Sequence, residues 1–328
     1  MNAGIVATGK FIPSKKINNL YVSKKTKLSK KEILKKTGIR TRYFVNTKET
    51  ASLIAYNAAK QALKRSKINK NEIDLIICCT FVGDYQFPCL ASKVHNLLGL
   101  KNAGAYDILA NCTGFQIGIS TAVEKIKNDK HVKNILVIGS AVQSPFLDWS
   151  SAENSMYFGD GSGAAIVSRV PKGYGMLSSE IICNSNAYED VKLVGGGSLL
   201  PSNKYNFKNK KNFYYDMNGL ETWKQVVQFQ PKVIKRVLIK AKKSISDVDF
   251  FIFHQANKNL LNYLCSKLKI PKEKTYTNVE IYGNTADASL AIALNDAVQK
   301  KKIKKKSIVM VSGVGAGFIF GASLFRWF

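Results

Sequence analysis

The stretch that decides the fold is YDILANCTGFQIGISTA, residues 106–122. An apolar run ends at Asn111, Cys112 follows, and small residues then mix with apolar ones in a pattern that predicts a buried helix. A cysteine at the start of a helix faces unpaired backbone N–H groups and the positive end of the helix dipole, and both favour the thiolate. Cys112 is therefore a candidate nucleophile, although a free cysteine is more often a small buried apolar residue.

The bulk composition predicts a large globular protein. The chain has 328 residues and is 45% hydrophobic, so it can bury a sizeable core. No apolar run reaches the length of a membrane span, and the initial MNAGIVATG predicts a strand rather than a signal peptide, so we expect a cytoplasmic protein. Six cysteines without CxxC spacing, beside only three histidines, argue against a zinc site.

The charge is strongly positive. The formal net charge of +28 comes from 50 Lys and Arg against 22 Asp and Glu. Such a charge fits nucleic acid, anionic lipid or an acidic protein as partner, or a solvated lysine-rich surface. Because the lysines are scattered and no zinc-finger, RNA-binding or helix-turn-helix motif accompanies them, the sequence favours the last two options over nucleic acid.

The second half of the chain repeats the first in its order of predicted strands and helices. Pairs that match at nearly constant offsets are Asp74 with Asp249, Ile135 with Ile308, and residues 111–113 with residues 283–285. A duplicated unit of this kind predicts two halves, residues 1–172 and 173–328, related by a pseudo-two-fold axis. Cys112 and Asn284 would then lie at equivalent helix starts, while residues 172–216 are expected to be an irregular connection.

A histidine and a glycine-rich turn complete the candidate site. His254 ends a predicted buried strand, where open sheets of this class place their catalytic groups, and Gly313–Gly317 precede the last strand. Each has a simpler alternative. His254 could be a structural histidine, Asn284 a helix N-cap, and the glycines only a tight turn.

With Cys112, FHQAN at residues 253–257 and YGNT at residues 282–285, the chain resembles the 3-oxoacyl-[acyl-carrier-protein] synthase III family of the thiolase superfamily. The match continues in TGIR at 37–40, FP at 87–88, FGDG at 158–161, MNG at 217–219 and GAGF at 315–318. The resemblance implies an α/β fold, the thiolase-like five-layered αβαβα sandwich, a homodimer, and a catalytic triad of Cys112, His254 and Asn284. It implies no cofactor beyond the phosphopantetheine arm that carries the thioesters.

The resemblance also implies the reaction. Cys112 would take an acyl group from acyl-coenzyme A or an acyl carrier protein, and His254 and Asn284 would assist condensation with a decarboxylating malonyl thioester. Backbone N–H groups of Cys112 and of the turn near Ala316 would hold the oxyanion. Substrate-binding residues that the resemblance implies are Phe87, Ala316, Phe318, Lys224, Asn257 and Lys258.

Several positions depart from the family pattern. Glu32 stands where an adenine-stacking aromatic residue is expected, Asn259 where a basic residue is expected, Ala316 replaces a glycine, and Asp287 lies inside the Gly-Asn-Thr helix start. They favour a specialised member that receives its acyl group from a carrier protein.

Other functions stay open at this point. An acyltransferase on the same fold could pass the acyl group to an alcohol or amine without decarboxylation. A hydroxymethylglutaryl-coenzyme A synthase type lacks a convincing catalytic glutamate, and a nucleic-acid-binding module lacks a contiguous basic face with aromatics. The acyl chain length and the pathway (fatty acid, modified sugar or secondary metabolite) are not fixed by the sequence.

Overall fold

The computed structural model describes residues 1–203 and 208–328. Its strands are β1 (Asn2–Phe11), β2 (Lys15–Asn18), β3 (Thr41–Phe44), β4 (Leu75–Cys79), β5 (Gly104–Ile108), β6 (Asn134–Ala141), β7 (Gly161–Val170), β8 (Gly175–Cys183), β9 (Val191–Lys192), β10 (Asp216–Met217), β11 (Phe250–Phe253), β12 (Ile308–Gly315) and β13 (Ile319–Arg326). Its helices are α1 (Asn19–Thr26), α2 (Lys30–Thr37), α3 (Ala51–Ser66), α4 (Leu90–Leu98), α5 (Gly114–Asn128), α6 (Gly219–Lys240), α7 (Lys258–Lys267), α8 (Val279–Tyr282) and α9 (Ser289–Gln299).

The two main sheets share one topology. The first has the order β1-β7-β6-β4-β5, and the second has the order β8-β13-β12-β11. In the first sheet, β4 and β6 are parallel, while β6 with β7 and β7 with β1 are antiparallel. In the second sheet, β11 and β12 are parallel, while β12 with β13 and β13 with β8 are antiparallel. The duplication predicted from the sequence is thus present in the strand order, with β5 as an addition to the first sheet.

Two aspartates fix the register of the repeat. Asp74 Oδ2 accepts a hydrogen bond from the Asn134 backbone N–H at 2.9 Å, and Asp249 Oδ2 accepts one from the Ile308 N–H at 2.7 Å. Each carboxylate therefore holds the start of the neighbouring strand in its own half. The counterpart of Ile308 is Asn134, one residue before the predicted Ile135.

Five layers stack through the molecule. Helices α5 and α9 lie between the two sheets and contact both, α3 and α4 cover the outer face of the first sheet, and α6 and α7 cover the second. The central layer needs small residues. A methyl group added to Gly118 of α5 would lie 2.9 Å from Val137 Cγ1, too close for van der Waals contact. The αβαβα sandwich predicted from the sequence is the fold observed.

The sequence missed parts of the secondary structure. Strand β8 lies inside the predicted irregular connection 172–216, and its sequence GMLSSEIIC does not alternate cleanly because it is an edge strand paired only with β13. Helix α9 begins at Ser289 rather than Thr285, because residues 286–288 form a separate short 3-10 turn. Within residues 1–203 and 208–328, none of the helices is both long and apolar enough to span a bilayer.

Candidate active site

One cavity of about 120 Å³ brings the three predicted catalytic residues together. Cys112, His254 and Asn284 all line it. Cys112 precedes α5, His254 follows β11, and Asn284 precedes α9, so the two halves of the duplicated fold each contribute. The wall also contains three predicted substrate-binding residues and further apolar or aromatic side chains, namely Asn257, Ala316, Phe318, Tyr157, Phe158, Val191, Met217, Trp223, Val226, Leu260 and Val314.

The backbone around Cys112 is held by the turn after β12. Cys112 lies in a 3-10 turn, Asn111–Thr113, in which Asn111 has a left-handed φ of 48°. Asn111 Nδ2 donates a hydrogen bond to the Ala316 carbonyl at 3.2 Å. A side chain at Gly315 would begin 3.3 Å from the Cys112 nitrogen, so this close approach favours glycine. The predicted neighbours in the oxyanion site, the Cys112 backbone and the turn at Ala316, therefore pack against each other.

Cys112 rests as a thiol. Burial raises the pKa of Cys112 well above its ordinary value, and the nearby Asp287 carboxylate raises it further. The backbone N–H of Cys112 favours the thiolate but has the smaller effect. The helix start favours the thiolate, as the sequence predicts, but desolvation has the larger effect on the pKa of Cys112 in the free protein.

His254 is buried and oriented by a serine. Its backbone N–H donates to the Ser312 carbonyl at 3.0 Å, which continues the pairing of β11 with β12. Its Nδ1 lies 2.5 Å from Ser289 Oγ, at the start of α9. Burial lowers the pKa of His254 to about 3, so the imidazole is neutral at physiological pH. Sequence reasoning missed Ser289, because nothing in its spacing marks it as a partner for His254.

Asn284 is fixed through its oxygen atoms. Its Oδ1 accepts a hydrogen bond from the Ala286 N–H at 2.9 Å. The N-cap alternative is wrong, because Thr285 is the N-cap of the turn Ala286–Ala288 and Ala288 is the N-cap of α9. Its main-chain carbonyl accepts from the Gly159 N–H at 3.0 Å and from Gln143 Nε2 at 2.9 Å. With Oδ1 occupied, Nδ2 is the group that Asn284 has available for a ligand, and Nδ2 is a donor. The structural contacts of Asn284 are therefore compatible with a chemical role for Nδ2.

The predicted symmetry of the site needs one correction. The 3-10 turns Asn111–Thr113 and Ala286–Ala288 each lead directly into a central helix, and each begins with a left-handed residue, Asn111 at φ 48° and Ala286 at φ 39°. The counterpart of Cys112 is therefore Asp287, and Asn284 lies just before that turn. The sequence match between residues 111–113 and 283–285 is therefore wrong by three residues, because the match of Asn111 to Ala286 has the same offset of 175 as the match of Asp74 to Asp249.

Three predicted substrate-binding residues do not line the cavity. Phe87 is 85% exposed. Lys224 is exposed and binds Glu221 at 3.1 Å, next to the lining residue Trp223. Lys258 Nζ binds Glu280 Oε1 at 2.5 Å. Their part in substrate binding stays a prediction.

Two of the residues that depart from the family pattern make structural hydrogen bonds. Glu32 completes a capping box at the start of α2, where its Oε2 accepts from the Ser29 N–H at 2.8 Å. Asn259 Nδ2 donates to the carbonyls of Lys35 and Lys36, both at 2.9 Å, and so ties α7 to the end of α2. Glu32 would have to leave its helix cap to contact an adenine ring. Asn259 would have to give up its bonds to α2 to contact an acidic partner.

Family models match both halves of the chain. Residues 106–185 match the model described as 3-oxoacyl-[acyl-carrier-protein (ACP)] synthase III, and residues 238–327 match the model of its C-terminal part. These two ranges contain Cys112 in the first and His254 and Asn284 in the second.

Relatives and solved structures match over the full length. The beta-ketoacyl-[acyl-carrier-protein] synthase III of Fusobacterium nucleatum is 36% identical, covering 99% of this chain and 98% of that protein, and the one of Natranaerobius thermophilus is 36% identical, covering 99% of each. The crystal structure of the synthase III from Aquifex aeolicus has a TM-score of 0.91 at 33% identity, covering 99% of this chain and 100% of that one. The chain belongs to the 3-oxoacyl-[acyl-carrier-protein] synthase III family of the thiolase superfamily.

Proposed function

We propose that this chain is a 3-oxoacyl-[acyl-carrier-protein] synthase of type III, an acyltransferase that condenses an acyl group with a malonyl thioester. The observation that carries the proposal is the convergence of Cys112, His254 and Asn284 on one cavity. A thiol, a neutral imidazole and a carboxamide are the groups that acyl transfer and decarboxylative condensation need. Membership of the family supports the same reaction class.

In the first half-reaction, Cys112 Sγ attacks the carbonyl carbon of an acyl thioester. The carbon–sulfur bond to the donor breaks, the departing thiol takes the proton that Cys112 loses, and an acyl-enzyme remains. The oxyanion that forms on the way needs hydrogen-bond donors. The Cys112 backbone N–H and the adjoining turn at Ala316 are suited to that role because they already lie against each other.

In the second half-reaction, the malonyl carboxylate leaves as carbon dioxide and its electron pair forms an enolate. The enolate carbon attacks the acyl carbon, a carbon–carbon bond forms, the bond to Cys112 Sγ breaks, and the thiolate takes a proton from solvent. His254 Nε2 and Asn284 Nδ2 would donate hydrogen bonds to the enolate oxygen. Removal of one such donor typically lowers the rate about 100- to 1000-fold.

The substrates are proposed to arrive on a phosphopantetheine arm, with acyl carrier protein bearing the malonyl group and either coenzyme A or acyl carrier protein bearing the acyl group. No further cofactor is required for this chemistry. The formal charge of +28 favours an acidic carrier protein, and Lys224 is exposed beside the cavity residue Trp223. Glu32 in its capping box supports a carrier-bound donor over coenzyme A. We place the enzyme in the cytoplasm.

The enzyme is proposed to be a homodimer. Strand β5 is one of the two edges of the five-stranded sheet, and apolar side chains near it are exposed, including Leu109 at 70%. Open edges with exposed apolar residues favour pairing with another chain. Phe87 is exposed in the single chain, and dimer formation could cover it. Light scattering after gel filtration measures the mass directly, and a monomer at micromolar concentration would contradict this assignment.

The proposed reaction is tested by supplying acyl and malonyl thioesters of acyl carrier protein together. We expect carbon dioxide release in step with a 3-oxoacyl product from the wild-type enzyme, and no 3-oxoacyl product from Cys112→Ala. Acyl transfer to an alcohol or amine without carbon dioxide release would instead identify the non-decarboxylating acyltransferase.

A further inference from the structure

Asp287 is the pseudo-symmetric counterpart of the nucleophile. It lies in the turn before α9 at the position that Cys112 has in the turn before α5, as the left-handed residues Asn111 and Ala286 show. The two central helices pack against each other, so their starts bring both side chains to the middle of the molecule. The carboxyl group of Asp287 therefore lies in the same central region as the thiol of Cys112, the nucleophile of the proposed function.

Among the described residues, the buried Asp287 carboxylate has no well-aligned hydrogen-bond partner, and the backbone N–H groups of Asp287 and Phe81 favour its charged form only weakly. Its exposure is 0%, and among the described residues neither Oδ1 nor Oδ2 has a hydrogen-bonding side-chain or main-chain partner of good geometry. It faces the start of α5, because a Cβ added to Gly114 would lie 3.3 Å from Asp287 Oδ1. A buried carboxylate without partners is costly, and natural proteins keep one where its charge is used.

Asp287 and Cys112 are electrostatically coupled. The negative charge of Asp287 raises the pKa of Cys112, and it also raises the pKa of Cys79 and Tyr215. Burial raises the pKa of Asp287 itself to about 7, against the smaller opposing effect of the backbone N–H groups of Asp287 and Phe81. Two acids that share one buried region cannot both ionise cheaply, so they titrate as a coupled pair.

We propose that Asp287 is a positioning residue that controls the ionisation of the nucleophile: its carboxylate holds Cys112 as the neutral thiol, and its protonation permits the thiolate. This rests on the proposed function only in taking Cys112 as the reactive group. The neutral His254 supplies no positive charge that would offset the carboxylate. Acyl loading therefore depends on the protonation of a residue that does not line the substrate cavity.

The test is alkylation of Cys112 by iodoacetamide as a function of pH, followed by peptide mass spectrometry. It needs no acyl substrate, so its outcome is independent of whether the condensation reaction has been assigned correctly. We expect wild type and Asp287→Asn to react equally at pH 5.5, where Asp287 is protonated. At pH 8.5 the variant should react about tenfold faster, which corresponds to one pKa unit of the thiol. The exposed Cys183 in the same samples is the internal control and should not change.

A constant rate ratio at all pH values would overturn the proposal, because a purely structural change does not follow the titration of a carboxyl group. Slower alkylation of Asp287→Asn at pH 8.5 would also overturn it, since Asp287 would then be assisting deprotonation. Asp287→Ala, which places alanine between Ala286 and Ala288, should also be alkylated faster than wild type at pH 8.5 and equally fast at pH 5.5.

The wild-type profile provides a measurement that needs no variant. The logarithm of the Cys112 rate should climb with pH below 7, flatten while Asp287 ionises, and climb again at higher pH. A single uninterrupted titration of Cys112 in the folded wild-type protein would contradict the coupling.

Discussion

His254 Nδ1 lies 2.5 Å from Ser289 Oγ, and this contact decides which ring nitrogen can serve the substrate. The neutral imidazole carries one proton, and Ser289 Oγ also lies 3.4 Å from the Gln255 backbone N–H, which donates to it. The serine hydroxyl can then donate its proton to Nδ1, and in that tautomer Nε2 carries the ring proton. His254 is thereby prepared as a hydrogen-bond donor, the role proposed for it in condensation.

The first prediction concerns Ser289→Ala. Loss of the hydroxyl removes the preference for the Nε2–H tautomer, so we expect condensation to slow about tenfold, the equivalent of one hydrogen bond of roughly 1.4 kcal/mol. Acyl loading of Cys112 should be unaffected. Single-turnover kinetics separates the two steps. Ser120→Ala is a suitable control, since that hydroxyl donates a hydrogen bond to the Ile117 carbonyl of its own helix. Equal slowing of both steps in Ser289→Ala would contradict the tautomer assignment.

The second prediction concerns acid stability. The folded pKa of His254 is about 3, while an unfolded histidine titrates near 6.5. As pH falls from about 6.5 to 3 the unfolded chain binds a proton that the folded chain does not, so the free energy of unfolding decreases by at most roughly 5 kcal/mol. Urea unfolding of His254→Gln should show a shallower loss over this range. The exposed His131→Gln should behave as wild type, and an unchanged slope in His254→Gln would be inconsistent with a buried neutral imidazole.

The third prediction concerns stability at high pH. The pKa of Asp287 is about 7 in the folded protein and about 3.9 in an unfolded chain. The folded state therefore becomes less stable as pH rises from about 3.9 to 7, and the full cost, at most roughly 4 kcal/mol, is present above pH 7. Asp287→Asn should raise the free energy of unfolding at pH 8 and leave it unchanged near pH 4. A variant no more stable than wild type at pH 8 would mean that the carboxylate has partners that offset its burial.

The fourth prediction concerns the carrier protein. If the basic surface binds an acidic partner, the Michaelis constant for acyl carrier protein substrates should rise steeply with salt, because screening weakens exposed charge pairs. Lys224→Glu, beside the cavity, should raise that constant more than Lys64→Glu on α3, which covers the other sheet. A salt-independent constant, or equal effects of the two charge reversals, would remove Lys224 from the docking surface.

The sequence sufficed for the architecture because the fold is duplicated and its central parts are apolar. Strands β4 and β6 are nearly continuous apolar runs, and the small residues of α5 already indicated a helix packed on both sides. Strand β8 was missed because an edge strand carries a weak hydrophobic pattern. The three residues of the predicted triad were found from local motifs, and the structure places all of them at one cavity.

The contacts around the site were less accessible from sequence. Ser289 and Asp287 act through partners far away in the chain, and no spacing rule links them to His254 or Cys112. The prediction that the helix start favours the thiolate of Cys112 relied on backbone N–H groups and the helix dipole, which a sequence reveals. Desolvation, which a sequence does not reveal, has the larger effect.

The central claim is that the three residues in one cavity have separate roles: Cys112 carries the acyl group, while His254 and Asn284 stabilise the enolate during condensation. Intact-mass spectrometry of the enzyme after an acyl donor, and again after malonyl carrier protein, tests it most directly. Cys112→Ala should gain no acyl mass, whereas His254→Ala and Asn284→Ala should gain it and then keep it when the malonyl substrate is added. Loading of Cys112→Ala, or normal discharge by both other variants, would contradict the account.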